Sequence, residues 1–314
     1  MTFERLTFII LLPLAMNVKY LTPVLFLAFA CAPQDTAVRY VDAGRLTAPD
    51  DSWEPTSVAV DANGRIYVAD SSLNCAVQVF DADGVYLGGL GGVGKAPGEL
   101  FVPMDVAIGP DGDVYVAEFG THRISIFRPD GDFVKIIGER ELLAPFGVAV
   151  APDGKIYVAD AEAGGLLTFS HQGVLVDKWG DDRGTSHILD VAVAPDGTVA
   201  YAPDEAGDVL LVTPRDVEPS RVPIDGNTTS VPNEIAFGPR GELLVLGQRT
   251  DAGSTLENFV AIFSSRGELL EEVPISLTTP TGVAAAPDGT IYVADGPRHQ
   301  VRAYRRRPAA TPGR

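Results

Sequence analysis

The chain has 314 residues, 46% of them apolar, which is enough to bury a large core, and its 33 glycines and 24 prolines punctuate short apolar runs instead of forming one tract. A formal charge of −18 repels phosphate backbones and excludes nucleic acid as an expected partner. Two cysteines, Cys31 and Cys75, make no disulfide framework.

Residues 1–30 read as an address and not as part of a fold. Leu6–Ala15 is apolar, Asn17 and Lys19 interrupt it, and Leu21–Ala30 is apolar again, each run too short to span a bilayer as a helix. Met16 to Cys31 has the shape of a signal peptide, a basic start, a short apolar stretch and small residues at its end, so Met16 is a candidate true start. Leu27-Ala28-Phe29-Ala30-Cys31 resembles a bacterial lipobox, with Ala28 where Leu is usual. That resemblance implies a lipid on Cys31, a tether over 31–36 and a place in the bacterial cell envelope. Ala32 after the cysteine resembles the outer-membrane sorting pattern, which would face the protein to the periplasm or the exterior. The lipid anchor is the only membrane contact expected, and the protein is expected to be a monomer.

Ala37–Leu46 follows as a strand-like segment without a neighbour of its own. A tight turn then recurs at Asn63-Gly64, Asp111-Gly112, Asp153-Gly154, Asp196-Gly197, Arg240-Gly241 and Asp288-Gly289, its glycines 42 to 48 residues apart. An apolar run precedes each turn, and a second strand follows it: Ile66–Asp70, Val114–Glu118, Ile156–Asp160 and Ile291–Asp295 share the pattern Ile/Val-Tyr-Val-Ala-Asp/Glu. Four short strands per period of about 40–45 residues are the signature of propeller blades, and six copies make six blades.

The best-formed copy, Pro145 to Asp160 (PFGVAVAPDGKIYVAD), with its third strand behind it, resembles the NHL repeat, and the resemblance extends over residues 53–307. It implies an all-β six-bladed β-propeller over 37–307; the functions of the family are broad. The last repeat, ending in Gln300–Tyr304 and Arg305-Arg306-Arg307, stops one strand short, so Ala37–Leu46 is expected to complete blade six and leave no open edge. Residues 308–314 read as a disordered tail. Leu87–Gly98, with Gly-Gly-Leu-Gly-Gly, reads as a flexible connection between blades one and two. Blade four weakens over Pro214–Pro223, and blade five carries a polar insertion, Gln248–Asn258, of the kind that often serves binding.

The resemblance also places the residue just before each first apolar strand at the mouth of the central channel: Ser57, Asp105, Gly147, Asp190, Glu234 and Gly282. With His187 and Asn233, the polar members form the candidate binding mouth. Asp105, Asp190 and Glu234 offer oxygen ligands to a divalent cation such as Ca²⁺, or are separately solvated or bonded to backbone N–H groups. Pro103-Met104-Asp105-Val106-Ala107 resembles a segment of the amidating lyases, without their upstream histidine, and Val231-Pro232-Asn233-Glu234 resembles a ligand motif of gluconolactonase-like propellers. His122 and His299 enter third strands, where local hydrogen bonding is expected, and His171 lies in a turn. Cys75 reads as an inert core thiol, Trp53 and Trp179 as packing residues. No G-x-S-x-G or phosphate-binding loop is present. The reading that results is a binding or scaffold protein, and not an enzyme, whose channel mouth takes a protein, peptide or glycan. The alternative is a metal-dependent hydrolase or lyase working at the mouth carboxylates.

Overall fold

The computed structural model describes residues 40–47, 52–179, 188–203, 208–213, 219–224, 231–250 and 256–307. The leader, Cys31 and its tether, His187 and the tail lie outside the described residues. The remainder is an all-β six-bladed propeller with NHL-like blades, each a four-stranded antiparallel sheet.

Each hairpin between first and second strands closes on the recurring glycine. Gly64, Gly112, Gly154, Gly197, Gly241 and Gly289 all have φ between 79° and 88°, a region that costs glycine nothing and other residues dearly. Their N–H groups close the turns, as in Gly154 N–H to Ala151 O at 2.8 Å. Second strands such as Ile66–Asp70 and Ile156–Asp160 are buried along their whole length, because a neighbouring blade covers each face. Six apolar clusters fill the six blade interfaces: Tyr115, Ile124 and Ile126 of blade two, for instance, pack with Val148, Ile156 and Val158 of blade three.

The ring closes as the sequence predicts. Tyr40–Arg45 pairs antiparallel with Gln300–Arg306, and Tyr40 lies opposite Arg306. Across the neighbouring interface, Trp53 Nε1 donates to His299 O and His299 Nδ1 donates to Trp53 O, both at 2.6 Å. The glycine run expected to be a flexible link differs: Tyr86–Gly91 is the outer strand of blade one, with Gly88 opposite Val79 and Gly91 opposite Ala76. In blade five most of the polar insertion is strand, because Leu243–Thr250 and Leu256–Phe263 extend the hairpin and pair from Leu243↔Phe263 to Thr250↔Leu256.

Candidate functional site

The six first strands line a central cavity of about 170 Å³. Toward the turn face it widens into a funnel of about 310 Å³ walled by Val60, Ile108, Val150, Val193 and Phe237 and rimmed by prolines of the turns. Its other end holds Ser57, Asp105, Asp190 and Glu234. These residues do not precede the first strands, as the repeat pattern implies, but sit inside them, just past a β-bulge. The ladder shifts register between Pro55 and Ser57, Pro103 and Asp105, Pro145 and Gly147, Ile188 and Asp190, and Pro232 and Glu234. A bulge re-aims the side chain that follows it. Here it turns Ser57, Asp105, Asp190 and Glu234 toward the axis.

The carboxylates stitch blades together. Asp105 accepts from its own strand at Val106 N and from blade three at Val148 N, both at 2.7 Å. Asp190 accepts in the same way from Val191 N and from Ile235 N of blade five, and Glu234 from Val283 N of blade six. The glycines of the ring make room for this. A Cβ on Gly147 would lie 2.6 Å from Asp190 Oδ1, and one on Gly282 would lie 2.7 Å from Ser57 Cα.

Ser57 joins the set across the channel. Its Oγ is 2.6 Å from Asp105 Oδ1 and 3.0 Å from Glu234 Oε1. One hydroxyl has one hydrogen, so both contacts are hydrogen bonds only when one of the two carboxyls carries a proton. The electrostatics agree. Burial pushes Asp105 up to about 6, against the lowering effect of Ser57 and the two N–H groups. Burial, then the charge of Asp105, holds Asp190 well above the usual carboxylate range. Burial, then Asp190 and Asp105, does the same to Glu234. Like charges at close range cannot all ionise, so the three share protons near neutrality.

The expected cation set is thus brought to one place, yet its oxygens are occupied by backbone N–H groups and Ser57. No group of three or more His, Cys, Asp or Glu among the described residues is arranged to hold a metal ion. The backbone of Asn233 lies at the bulge before Glu234. The three described histidines stand apart from the channel: His122 lies against Phe119, His299 bonds Trp53, and His171 is in an exposed turn. His122, His299 and Cys75 share one backbone conformation, φ of 55°, 54° and 38°, at the entry to their third strands, so the slot selects for a left-handed turn and not for an imidazole. Cys75 is buried, its thiol donating to Ser72 O.

Against this geometry, the NHL repeat family matches residues 53–80, 102–127 and 277–304. This is an NHL-repeat six-bladed propeller fold. Among curated proteins, Protein brain tumor of Drosophila melanogaster is 39% identical over 87 residues, which is 27% of this chain and 8% of that protein, so the chain spans only a small part of its length. Solved structures extend the likeness of fold to most of the chain. A streptogramin B lyase aligns over 85% of this chain and 98% of its own with a TM-score of 0.61 and 12% identity. Virginiamycin B lyase from Staphylococcus aureus aligns over 85% and 99% with a TM-score of 0.59 and 14% identity. Its catalytically inactive histidine-to-alanine variant with quinupristin aligns equally far, with a TM-score of 0.62 and 14% identity. At such identity what is shared is the fold. The three matched propellers are lyases, so the fold gives no ground for a scaffold without activity, and the expectation of a binding protein that is not an enzyme is withdrawn.

Proposed function

We propose that this propeller is an enzyme of the lyase class, with Glu234, Asp190 and Asp105 as its proton-transfer groups. A lyase that works by elimination needs a base to take a proton from carbon and an acid to protonate the departing atom. Carboxyls whose surroundings push their protonation apart supply both forms at one pH. Glu234, only partly buried, is the member that would meet substrate, and Asp105, Asp190 and Ser57 set its protonation. The observation that carries the reading is this proton-sharing cluster at the end of the channel. The lyase identity of the matched propellers supports it, and the three carboxylates line the channel.

The test is to incubate the protein with quinupristin and a panel of lactones and esters and to weigh the products. Ring opening by elimination leaves a lactone's mass unchanged, whereas hydrolysis adds one water. Unchanged mass, with the rate lowered at least about 100-fold in Glu234→Gln, is expected. No conversion, a gain of water, or an unaffected variant would overturn the proposal.

We also place the protein in the bacterial cell envelope, held by a lipid on Cys31. The support is the apolar run Leu21–Ala30 ending at that cysteine. Cys31→Ser is expected to shift the protein from the membrane fraction to the soluble one, and retention in the membrane would count against the anchor.

A further inference from the structure

The face that carries the carboxylates is unevenly built. The bulge residues that precede the channel positions are Met104, Phe146 and Leu189 in blades two to four, and Thr56 and Asn233 in blades one and five. Thr281 holds the corresponding place in blade six, and its hydroxyl donates to Pro55 O at 2.9 Å. Over the apolar half stands Phe119, from the loop after the second strand of blade two. It is 36% exposed, its ring centroid 5.4 Å from that of Phe146 and 6.4 Å from that of His122. Leu143, half exposed, lies in the loop that leads to Phe146.

The loop beneath Phe119 is held in an unfavourable conformation. Val102 has φ of 53°, a genuine outlier for a β-branched residue, and its carbonyl accepts the N–H of Phe119 at 3.1 Å. Gly120 N–H donates to Phe101 O, and a Cβ on Gly120 would lie 2.4 Å from the Phe101 ring. Such strain persists where surrounding contacts over-determine it, and it collects at functional sites. Here the contacts fix an aromatic ring at the edge of an acidic channel.

We infer that Phe119 and Phe146 form a seat for an aromatic ring of the substrate, next to the carboxylates. This rests on the lyase reading and adds its substrate class: a small molecule with an aromatic ring and no negative charge near it. Stacked or edge-on ring contacts supply the attraction, and the charge shared by Asp105, Asp190 and Glu234 rejects an anion.

The test reads binding without turnover, by saturation-transfer NMR at pH 8 with phenylacetamide, acetamide and phenylacetate as probes. Phenylacetamide is expected to bind, acetamide to give no signal, and phenylacetate to bind about tenfold more weakly. Phe119→Ala and Phe146→Ala are expected to weaken phenylacetamide about tenfold, and Phe119→Tyr to retain it. Circular dichroism and a thermal melt confirm that each variant is folded. Equal binding of phenylacetamide by the folded Phe119→Ala protein, or equal binding of acetamide, overturns the seat whether or not the protein turns anything over. Ring binding that depends on Phe119, in a protein that opens no ester or lactone, removes the lyase reading and keeps the seat.

Discussion

Two sets of buried acidic side chains lie one residue apart in the same ladders, and they do different things. Asp105 is paired with Ala117, and the next residue of that strand is Glu118. Glu118 takes the guanidinium of Arg123 at 2.8 Å, the hydroxyls of Thr121 and Ser125, and Phe101 N–H. Its counterpart Asp160 takes the N–H groups of Leu143, Ala144, Glu162 and Ala163, and Asp70 those of Glu54 and Ser72 with the Gln78 amide. Every one of these partners belongs to the same blade or its own loops, so each carboxylate acts as a staple for the loops around it. The channel carboxylates reach into the next blade and face one another. The difference teaches that burial by itself does not set what a carboxyl does: with donors from its own blade it is a staple, and with other carboxyls as company it must contend with their charge.

The staple half of the comparison predicts the largest effect. Glu118→Ala leaves Arg123 buried without its counter-charge, and urea denaturation is expected to show a loss of about 3–5 kcal/mol. A loss under about 1 kcal/mol would put Glu118 on the same footing as a surface ion pair.

The channel half predicts a pH dependence of opposite sense to the usual carboxylate. The folded protein holds Asp105 near 6, above its unfolded value, so the stabilisation is complete below about pH 4 and is lost as pH rises through about 6. Asp105 alone accounts for on the order of 3 kcal/mol between those limits. Asp190 and Glu234, both held well above the usual carboxylate range by burial and by the neighbouring carboxyls, add to the decline. Melting midpoints measured from pH 5 to 9 should fall, and Asp105→Asn should flatten the first part of the curve. A wild-type midpoint that climbs over this range would show that the cluster does not share protons.

A third variant probes the crowding that keeps the cluster together. Gly147→Ala sets a methyl 2.6 Å from Asp190 Oδ1 and is expected to cost about 1–3 kcal/mol, measured by denaturation, and to alter the pH profile. A last variant lies at the closure outside both sets: Trp53→Phe keeps an aromatic ring but removes the indole's second ring and its N–H to His299 O, for about 1–3 kcal/mol.

Much of this was legible before any coordinates. The recurring X-Gly turns count the blades because glycine tolerates the φ they need, and the short C-terminal repeat foretells closure by the strand at Tyr40–Arg45. The positions of Ser57, Asp105, Asp190 and Glu234 follow from the same register. Their partners do not. The bulge that aims them begins at a proline in four blades, Pro55, Pro103, Pro145 and Pro232, but the bulged residues themselves, Thr56, Met104, Phe146, Leu189 and Asn233, have nothing in common. The bond between Ser57 and Glu234 joins residues 177 apart in the chain, a proximity that curvature of the ring creates and local pattern cannot carry. Phe119 is hard to read for a related reason: its N–H is held by the carbonyl of the left-handed Val102, where residue type argues against that conformation. The glycine run of blade one misleads in the other direction, reading as a loop where cross-strand pairing to Ala76–Phe80 makes it a strand.

The last strand pair also sets a schedule for the nascent chain. Tyr40 and Arg306, bonded to each other through hydroxyl and guanidinium, are 266 residues apart. Five blades have all four strands from contiguous sequence and can form in turn as they leave the ribosome, each with local contacts only. The sixth cannot, because its outermost strand is made first and its partner last. Until synthesis ends, Tyr40–Arg45 must wait with its backbone unpaired, and the first and last interfaces stay open. Joining ends so distant is the slow kind of contact, so the ring is expected to gain its cooperativity in one late step, after the whole chain is available.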